Sequence, residues 1–344
     1  MKIVIERNIP FVAGRLEAAG CDVVYAASEA IDRALVADAE ALLVRTRTRC
    51  DSALLDGSAV RFIGTATIGT DHIDIDYCER RGITVASAPG CNAPAVAQWT
   101  LAAVGQWMMR HEIDLEQMTV GVVGVGHVGS IVARWARQAG FDLLLCDPPR
   151  QRGDVATADY HYPAEHFCDL DTIAVRCDIV TFHTPLTKNG PDATHHLAGK
   201  DFFERFAAAG TPRLLLNAAR GAILDTPCAV GAPSNVDFAI DCWEGEPDID
   251  RALLLRALVA TPHVAGYSRQ GKQRATEMTL AALANALGLD IEVTMPPQPA
   301  MGAQFVTLPQ VMRSYRIEED TRRLKEHPDD FERQRNEYAL RDEV

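Results

Sequence analysis

Residues 119–147, TVGVVGVGHVGSIVARWARQAGFDLLLCD, place two apolar runs on either side of a glycine-rich turn. The first run, 120–125, is interrupted only by glycines and suits a strand that is buried on both faces. The second run, 141–145, leads to Asp147. Between them, apolar residues recur at helical spacing, at Val128, Ile131, Val132 and Trp135. The stretch therefore predicts a strand, a glycine turn, a helix, a strand and an acid, in that order.

The turn at residues 124–129, GVGHVG, matches the GxGxxG pattern, which also occurs in plain loops. Here it follows a predicted strand, opens a predicted helix and precedes Asp147 by about 20 residues, as in dinucleotide-binding domains. The helix N-terminus offers N–H groups and a positive dipole end to phosphates. Asp147 would accept hydrogen bonds from a ribose and repel a 2′-phosphate, which favours NAD over NADP. The predicted cofactor-binding residues are Gly124, Gly126, His127, Val128, Gly129 and Asp147.

Composition narrows the class of protein. The chain has 344 residues, enough for more than one domain, and a formal net charge of −13, which argues against a nucleic-acid or membrane partner. Nine cysteines without a CxxC pair favour reduced thiols in a cytoplasmic protein. The N-terminal sequence MKIVIERNIP has no signal-peptide pattern, and no apolar segment has the length of a membrane span.

The N-terminal part reads as a small α/β unit of its own, with a helix at 12–20 and a long apolar helix at 93–109 leading out of it. Arg45, Arg47 and Arg49 alternate, so that on an extended chain they would share one face. That face is either a solvated edge or an anion site at the carboxyl end of a strand.

Polar residues follow several predicted strands of the second half, as ligand-binding residues of a parallel sheet do. Arg220 follows the strand at 214–217, and His263 follows another. Glu244 and Glu246 lie in one turn, and their spacing does not distinguish them. Oxidation of a hydroxy acid needs a cation for the carboxylate, a base for the hydroxyl proton and an acid beside the base. An arginine, a histidine and a glutamate supply those groups.

The remaining histidines are weaker candidates. His72, His183 and the pair His195–His196 have no spacing typical of a metal site, so no metal ligand is predicted.

The segments VGVVGVGHVG, NAARG, DCWEGEP and TPHVAGY, in that order, resemble the D-isomer-specific 2-hydroxyacid dehydrogenases over most of the chain. Longer segments such as FIGTATIGTDHID and FHTPLTKNG resemble a branch of that family that acts on a small phosphorylated hydroxy acid. The resemblance implies catalytic roles for Arg220, Glu246 and His263. Implied cofactor contacts are Asp147, Thr184, Ala218, Ala219, Arg220, Asp241 and Gly266. Implied substrate contacts are Thr46, Thr67 and Tyr267.

The resemblance also implies an architecture: a Rossmann-type doubly wound parallel sheet for NAD, a flavodoxin-like α/β substrate domain and a small C-terminal dimerisation segment. The expected substrate domain comprises 1–95 and 268–290, with a returning helix near 276–287. The expected NAD domain comprises 96–267. Residues 291–344 are the expected dimerisation segment, through which the chain would form a homodimer. After Leu224 a proline and glycines replace the family's helix, so a full helix is not expected there. Alternative functions are a dehydrogenase for another acid, such as phosphoglycerate, and a non-catalytic NAD-sensing module.

Overall fold

The computed structural model describes residues 1–113, 118–155, 162, 166–297 and 306–344. The described chain forms two compact units. Met1–Asn92 and Ser268–Pro297 make up the first unit, and Ala93–Tyr267 with residues 306–344 makes up the second. Parts of the expected NAD domain and dimerisation segment, residues 114–117, 156–161, 163–165 and 298–305, lie outside the described residues.

Eleven strands are present in the described chain: β1 (Lys2–Glu6), β2 (Asp22–Ala26), β3 (Ala41–Val44), β4 (Phe62–Thr65), β5 (Thr84–Ala86), β6 (Thr119–Val123), β7 (Asp142–Cys146), β8 (Ile179–Phe182), β9 (Arg213–Asn217), β10 (Val236–Ile240) and β11 (Ala257–Ala260). Its α-helices are α1 (Arg15–Ala18), α2 (Arg33–Val36), α3 (Ser52–Leu55), α4 (Ile75–Arg80), α5 (Ala93–His111), α6 (His127–Gln138), α7 (Pro148–Arg152), α8 (Leu170–Arg176), α9 (Lys200–Ala207), α10 (Thr226–Gly231), α11 (Arg251–Arg256), α12 (Arg269–Leu287), α13 (Leu308–Ser314), α14 (Ile317–Glu326) and α15 (Phe331–Asn336).

The first unit is a parallel sheet in the order β2-β1-β3-β4-β5, the flavodoxin-like order. Its central strands are apolar and buried on both faces, because helices cover both sides. The returning helix α12 packs on β4 and starts at Arg269, earlier than the sequence predicts. Ser268 caps α12 by accepting a hydrogen bond from the Gly271 N–H. The first turns of α12 are polar, so they lack the apolar spacing by which a helix is recognised in the sequence.

Two expectations for the first unit are wrong. The helix expected at 12–20 is reduced to α1, because Gly14 adopts a left-handed conformation with φ of 79° directly before it. The arginines after β3 do not share an extended face, because residues 46–48 form a turn in which Thr48 is buried. There the Thr48 hydroxyl donates to the buried carboxylate of Glu6 at 3.2 Å.

The second unit is a six-stranded parallel sheet in the order β11-β10-β9-β8-β6-β7. A single parallel bridge from Leu145 to Phe167 adds to its β7 edge. The chain order reverses between β6 and β8, and ligands of doubly wound sheets bind in the crevice at such a reversal. The predicted Rossmann-type sheet is therefore present, with both faces covered by large apolar clusters.

The described C-terminal residues are part of the second unit. α13 packs on α5, and α14 packs on β11. Val311, Ile317, Leu324 and Phe331 are buried in the two apolar clusters of this unit. By its internal contacts the described chain divides after Asn92, and residues 306–344 group with the six-stranded sheet.

The segment after Leu224 forms only the six-residue helix α10, which agrees with the expectation that no full helix forms there. Asp225 caps it by accepting from the Cys228 N–H, and Pro227 lies in the first turn, where its missing N–H breaks no helical hydrogen bond. None of the nine cysteines, all of which lie in the described part of the chain, forms a disulfide. None of the helices in the described chain is long and apolar enough to cross a membrane.

Candidate active site

The glycine turn after β6 is shaped by close backbone approach. Gly124 has φ of +88°, and a β-carbon on Gly129 would lie 1.9 Å from the Gly124 carbonyl oxygen. Gly126, by contrast, has no atom of the described residues within 4 Å of its hypothetical β-carbon, its own chain neighbours aside. The turn therefore leaves open space directly before α6, as the pyrophosphate of a dinucleotide requires.

Asp147 fixes the position of this turn. One carboxylate oxygen accepts from the Val125 N–H at 2.8 Å, and the other accepts from the Arg150 N–H at 3.1 Å. At the start of α6, His127 is exposed and Val128 is half-buried. The acid that the sequence assigns to the ribose thus lies within hydrogen-bonding distance of the turn itself.

The segment after β8 completes the crevice at the strand reversal. The Thr184 hydroxyl oxygen is buried beside Gly124 and has no hydrogen-bond partner among the residues that the structure describes. Buried hydroxyls are normally paired, so this one fits a site that a polar ligand completes. Burial lowers the pKa of the neighbouring His183 to about 3, which keeps its imidazole neutral. Together with the open turn, these residues fit NAD.

Arg220 is presented by a turn that a buried amide organises. The Asn217 side chain at the end of β9 donates to the carbonyls of Arg220 at 3.0 Å and Cys242 at 3.2 Å. Its amide oxygen accepts from the Ala219 N–H, while Ala218 is half-buried beside it. A β-carbon on Gly221 would lie 2.0 Å from the Trp243 carbonyl oxygen, so this turn packs backbone against backbone.

Asp241 organises the next loop from a fully buried position. Its carboxylate accepts from the Thr261 hydroxyl at 2.6 Å and from the Val264 N–H at 2.7 Å, and its carbonyl accepts from the His263 N–H at 2.9 Å. Burial raises the pKa of Asp241. These bonds hold His263 at φ of 58°, a conformation that few residues other than glycine adopt. Gly266 follows within the same turn.

His263 is paired with a carboxylate. Its Nδ1 lies 2.5 Å from Glu246 Oε1, and Glu246 Oε2 accepts from the Trp243 N–H at 3.2 Å. Burial alone would raise the pKa of Glu246, but the hydrogen bond and charge of His263 outweigh it and lower that pKa. A charged carboxylate on Nδ1 orients the ring and leaves Nε2 as the other reactive nitrogen.

Glu244 takes a different partner. Its carboxylate lies 2.6 Å from His196 Nε2, and His196 Nδ1 lies 3.4 Å from Asp225. His196 thus links two loops. His195 stacks on it at 4.0 Å, and atoms of His195, His196 and Glu244 lie within 4.8 Å of one another. An imidazole binds a metal ion in the plane of its ring, and two stacked rings lie in nearly parallel planes, so one ion cannot lie in both. We therefore interpret this cluster as a structural contact.

The predicted substrate residues occur in both units. In the first unit, Thr46 is exposed in the turn after β3, and the Thr67 hydroxyl lies 2.6 Å from that of Thr65. In the second, Tyr267 follows the His263 loop and its N–H donates to the Val264 carbonyl. Sequence reasoning missed Thr261, whose hydroxyl donates to Asp241, and Arg341, whose guanidinium donates to the backbone of the His263 loop, because no local pattern distinguishes them.

The part of the chain that carries this site matches a known protein family. Residues 94–265 match the D-isomer specific 2-hydroxyacid dehydrogenase, NAD binding domain. This match covers the glycine turn and both loops, and it confirms the prediction of an NAD-binding domain of this kind.

Some proteins are similar to this chain over its whole length. An erythronate-4-phosphate dehydrogenase of Bacteroides fragilis is 40% identical over 349 residues, covering 100% of this chain and 97% of that protein. One from Porphyromonas gingivalis is 38% identical, covering 98% and 92%. Among solved structures, the TT0316 protein of Thermus thermophilus is 25% identical with a TM-score of 0.68, covering 83% and 97%. D-lactate dehydrogenase of Aquifex aeolicus, solved with NAD and lactic acid, is 22% identical with a TM-score of 0.67, covering 84% and 96%.

Proposed function

We propose that this chain, which belongs to the erythronate-4-phosphate dehydrogenases of the D-isomer specific 2-hydroxyacid dehydrogenase family, oxidises 4-phospho-D-erythronate with NAD. The product is 2-oxo-3-hydroxy-4-phosphobutanoate, and the reaction belongs to pyridoxal phosphate (vitamin B6) biosynthesis. The observation that carries the proposal is the Glu246–His263 pair, held beside the Arg220 turn in a chain with full-length relatives of that name.

His263 is the base in this reaction. Because Nδ1 is engaged by Glu246, Nε2 is the nitrogen that accepts the proton of the C2 hydroxyl. Glu246 stabilises the imidazolium that forms, and its lowered pKa keeps it charged for that purpose. The proton then leaves His263 for solvent before the next turnover.

Arg220 binds the substrate carboxylate. Its guanidinium can hold a carboxylate through two parallel hydrogen bonds, which orients C2 and polarises the adjacent C–O bond. Bound NAD would supply the acceptor for the hydride that leaves C2. Gly124, Gly126, Gly129, Thr184 and Asp147 would hold it, as the open turn and the unpaired Thr184 hydroxyl support. Thr46, Thr67 and Tyr267 remain our candidates for further substrate contacts.

The proposal is tested by NADH formation with purified protein, NAD and 4-phospho-D-erythronate, beside 3-phosphoglycerate and D-lactate. We expect a clear preference for the first acid. Direct assay of the oxo-acid product, with an added 2-oxo acid as acceptor, covers the case in which NADH stays bound. Preference for another acid would retain the mechanism and overturn the substrate. NAD binding without any turnover would favour the sensing module.

We also propose that the chain is a cytoplasmic homodimer. Nine cysteines that form no disulfide support a reducing compartment. An apolar cleft of about 420 Å³ between α5 and α13 supports a second copy as partner, because Met109 at its rim is 60% exposed. Sedimentation equilibrium should give twice the 37.5 kDa monomer mass, and Met109→Glu should shift the equilibrium to monomer. A monomeric wild-type protein at micromolar concentration contradicts this proposal.

A further inference from the structure

The loop that carries His263, residues 263–267, is fixed on its N-terminal side by one buried acid. The His263 N–H donates to the Asp241 carbonyl at 2.9 Å, and the Val264 N–H donates to the Asp241 carboxylate at 2.7 Å. His263 has φ of 58°, and a residue other than glycine keeps such a conformation only where the surrounding structure fixes it. The groups that hold the other side of this loop therefore also set the position of His263.

Arg341 binds that other side. Its guanidinium donates to the carbonyls of Val264 at 3.0 Å and Tyr267 at 3.3 Å, and also to that of Ala265. It donates to the Ala95 carbonyl at the start of α5 at 3.0 Å as well. A guanidinium carries five N–H donors in one rigid plane, so a single side chain can bind several carbonyls of a short loop at once. Arg341 thus ties the loop to the start of α5.

The Arg341 side chain is itself held in place. Its Nε donates to the amide oxygen of the buried Gln98 at 3.4 Å, and the Gln98 amide donates to the Asp342 carbonyl at 3.2 Å. The guanidinium lies 4.3 Å from the centroid of the buried Tyr315 ring, within the range of a cation–π contact. Among the described residues, Arg341 donates only to uncharged oxygens. Its charge therefore strengthens the bonds to the loop carbonyls.

An aromatic contact joins the same two parts of the chain. The rings of Tyr267 and Tyr338 pack edge to face with centroids 6.0 Å apart, an arrangement that aromatic pairs prefer. The Tyr338 hydroxyl donates to the Asp320 carboxylate on α14 at 2.8 Å, which fixes this ring in turn. Residues 338–341 thus contact both the backbone of the loop and its last side chain.

We infer that Arg341 is a positioning residue for His263. By binding three carbonyls of the loop, it keeps the His263 ring in the place where Nδ1 lies 2.5 Å from Glu246 and Nε2 is left for the substrate. A shift of about 1 Å in a catalytic group can lower a rate by roughly 10²-fold. This inference rests on the proposed function, since Arg341 acts there only through the base.

The test is a double-mutant cycle between Arg341 and His263, run with the acid that the wild-type protein oxidises best. In Arg341→Gln we expect kcat to fall roughly 10- to 100-fold, with NAD affinity within about 3-fold of wild type, because the base is misplaced while the glycine turn is unaltered. In a His263→Ala background the same substitution should change kcat by less than about 3-fold, because no ring remains to be positioned. Comparable further losses in both backgrounds, or no loss in either, would overturn the inference.

Two more variants sharpen the cycle. Arg341→Lys keeps a positive charge beside the Tyr315 ring, but its compact ammonium reaches fewer carbonyls, so kcat should fall less than in Arg341→Gln. This variant also replaces Arg341→Gln in the cycle if the glutamine protein does not fold. Arg333→Gln is the matched control, because Arg333 lies on α15, is exposed and pairs with Asp330. It should keep the wild-type kcat.

Amide hydrogen exchange tests the inference without any substrate. The N–H groups of His263, Val264 and Tyr267 are hydrogen-bonded, so they exchange slowly while the loop keeps its structure. In Arg341→Gln, exchange in a peptide covering 263–267 should be at least several-fold faster, with exchange at 124–129 unchanged. Unchanged exchange in the loop contradicts the role of Arg341. If the wild-type protein oxidises none of the acids, the proposed function fails instead, while the exchange rates still report on Arg341.

Discussion

Two neighbouring parts of one sheet edge are built in opposite ways. The turn after β6 is defined by missing side chains, since a β-carbon at Gly129 would overlap the Gly124 carbonyl. The loops after β9, β10 and β11 are defined by buried polar side chains, Asn217 and Asp241 among them, that bind backbone groups of the chain. The first part should therefore be sensitive to added atoms, and the second to removed or altered polar groups.

The largest effect is expected in the polar part. His263→Ala removes the base while leaving the glycine turn intact, so turnover should fall by roughly 10²- to 10⁴-fold. NAD affinity, measured by calorimetry, should change by less than about 3-fold, because the cofactor residues are unaltered. His195→Ala, an exposed histidine of the same unit, is the control and should retain activity. Near-normal turnover in His263→Ala rules out the assignment of the base.

A medium effect is expected in the glycine turn. Two variants there distinguish the loss of space for the cofactor from the disruption of protein packing. Gly129→Ala forces α6 away from the turn and should cost about 1–3 kcal/mol of unfolding free energy, with loss of NAD affinity. In Gly126→Ala the added β-carbon meets no atom of the described chain within 4 Å, so the variant should cost less than about 1 kcal/mol yet still weaken NAD binding by occupying the open space. Denaturant unfolding and calorimetry measure both quantities. Equal destabilisation by the two variants contradicts the comparison.

The smallest effect concerns His183, a polar group next to the glycine turn. Its folded pKa of about 3 lies below the unfolded value of roughly 6.5, so only the unfolded chain takes up this proton as the pH falls from 6.5. Unfolding free energy should therefore decrease with falling pH, and His183 accounts for up to about 1.4 kcal/mol per pH unit. His183→Asn should make that decrease shallower in urea titrations at pH 7, 6 and 5. An unchanged slope excludes this origin.

Much of the fold follows from local sequence. The run from β6 through the glycine turn to β7 is predicted within one or two residues, because buried parallel strands and an amphipathic helix each leave a period in the sequence. The placement of Arg220, Asp241 and His263 after successive strands is predictable for the same reason. The lengths of α1 and α12 are not, since caps at Gly14 and Ser268 outweigh apolar periodicity.

Other features depend on contacts between distant residues. Sequence spacing left Glu244 and Glu246 equivalent, and the family resemblance favoured Glu246. In the folded chain Glu246 meets His263 and Glu244 meets His196, because the turn between them sends the two carboxylates to different loops.

By itself, the sequence determined most of the strands, the nucleotide turn and the order of the polar residues along the chain, because each depends on neighbours within a few positions; the arrangement of the strands into two sheets followed from the family resemblance. Only the tertiary structure decided that Thr261 supports Asp241 and that Arg341 binds the His263 loop. These contacts join residues separated by 20 or more positions, and Arg341 lies 77 residues from Val264. No local period encodes such pairs, since they form only when packed strands and helices bring the chain's distant parts together.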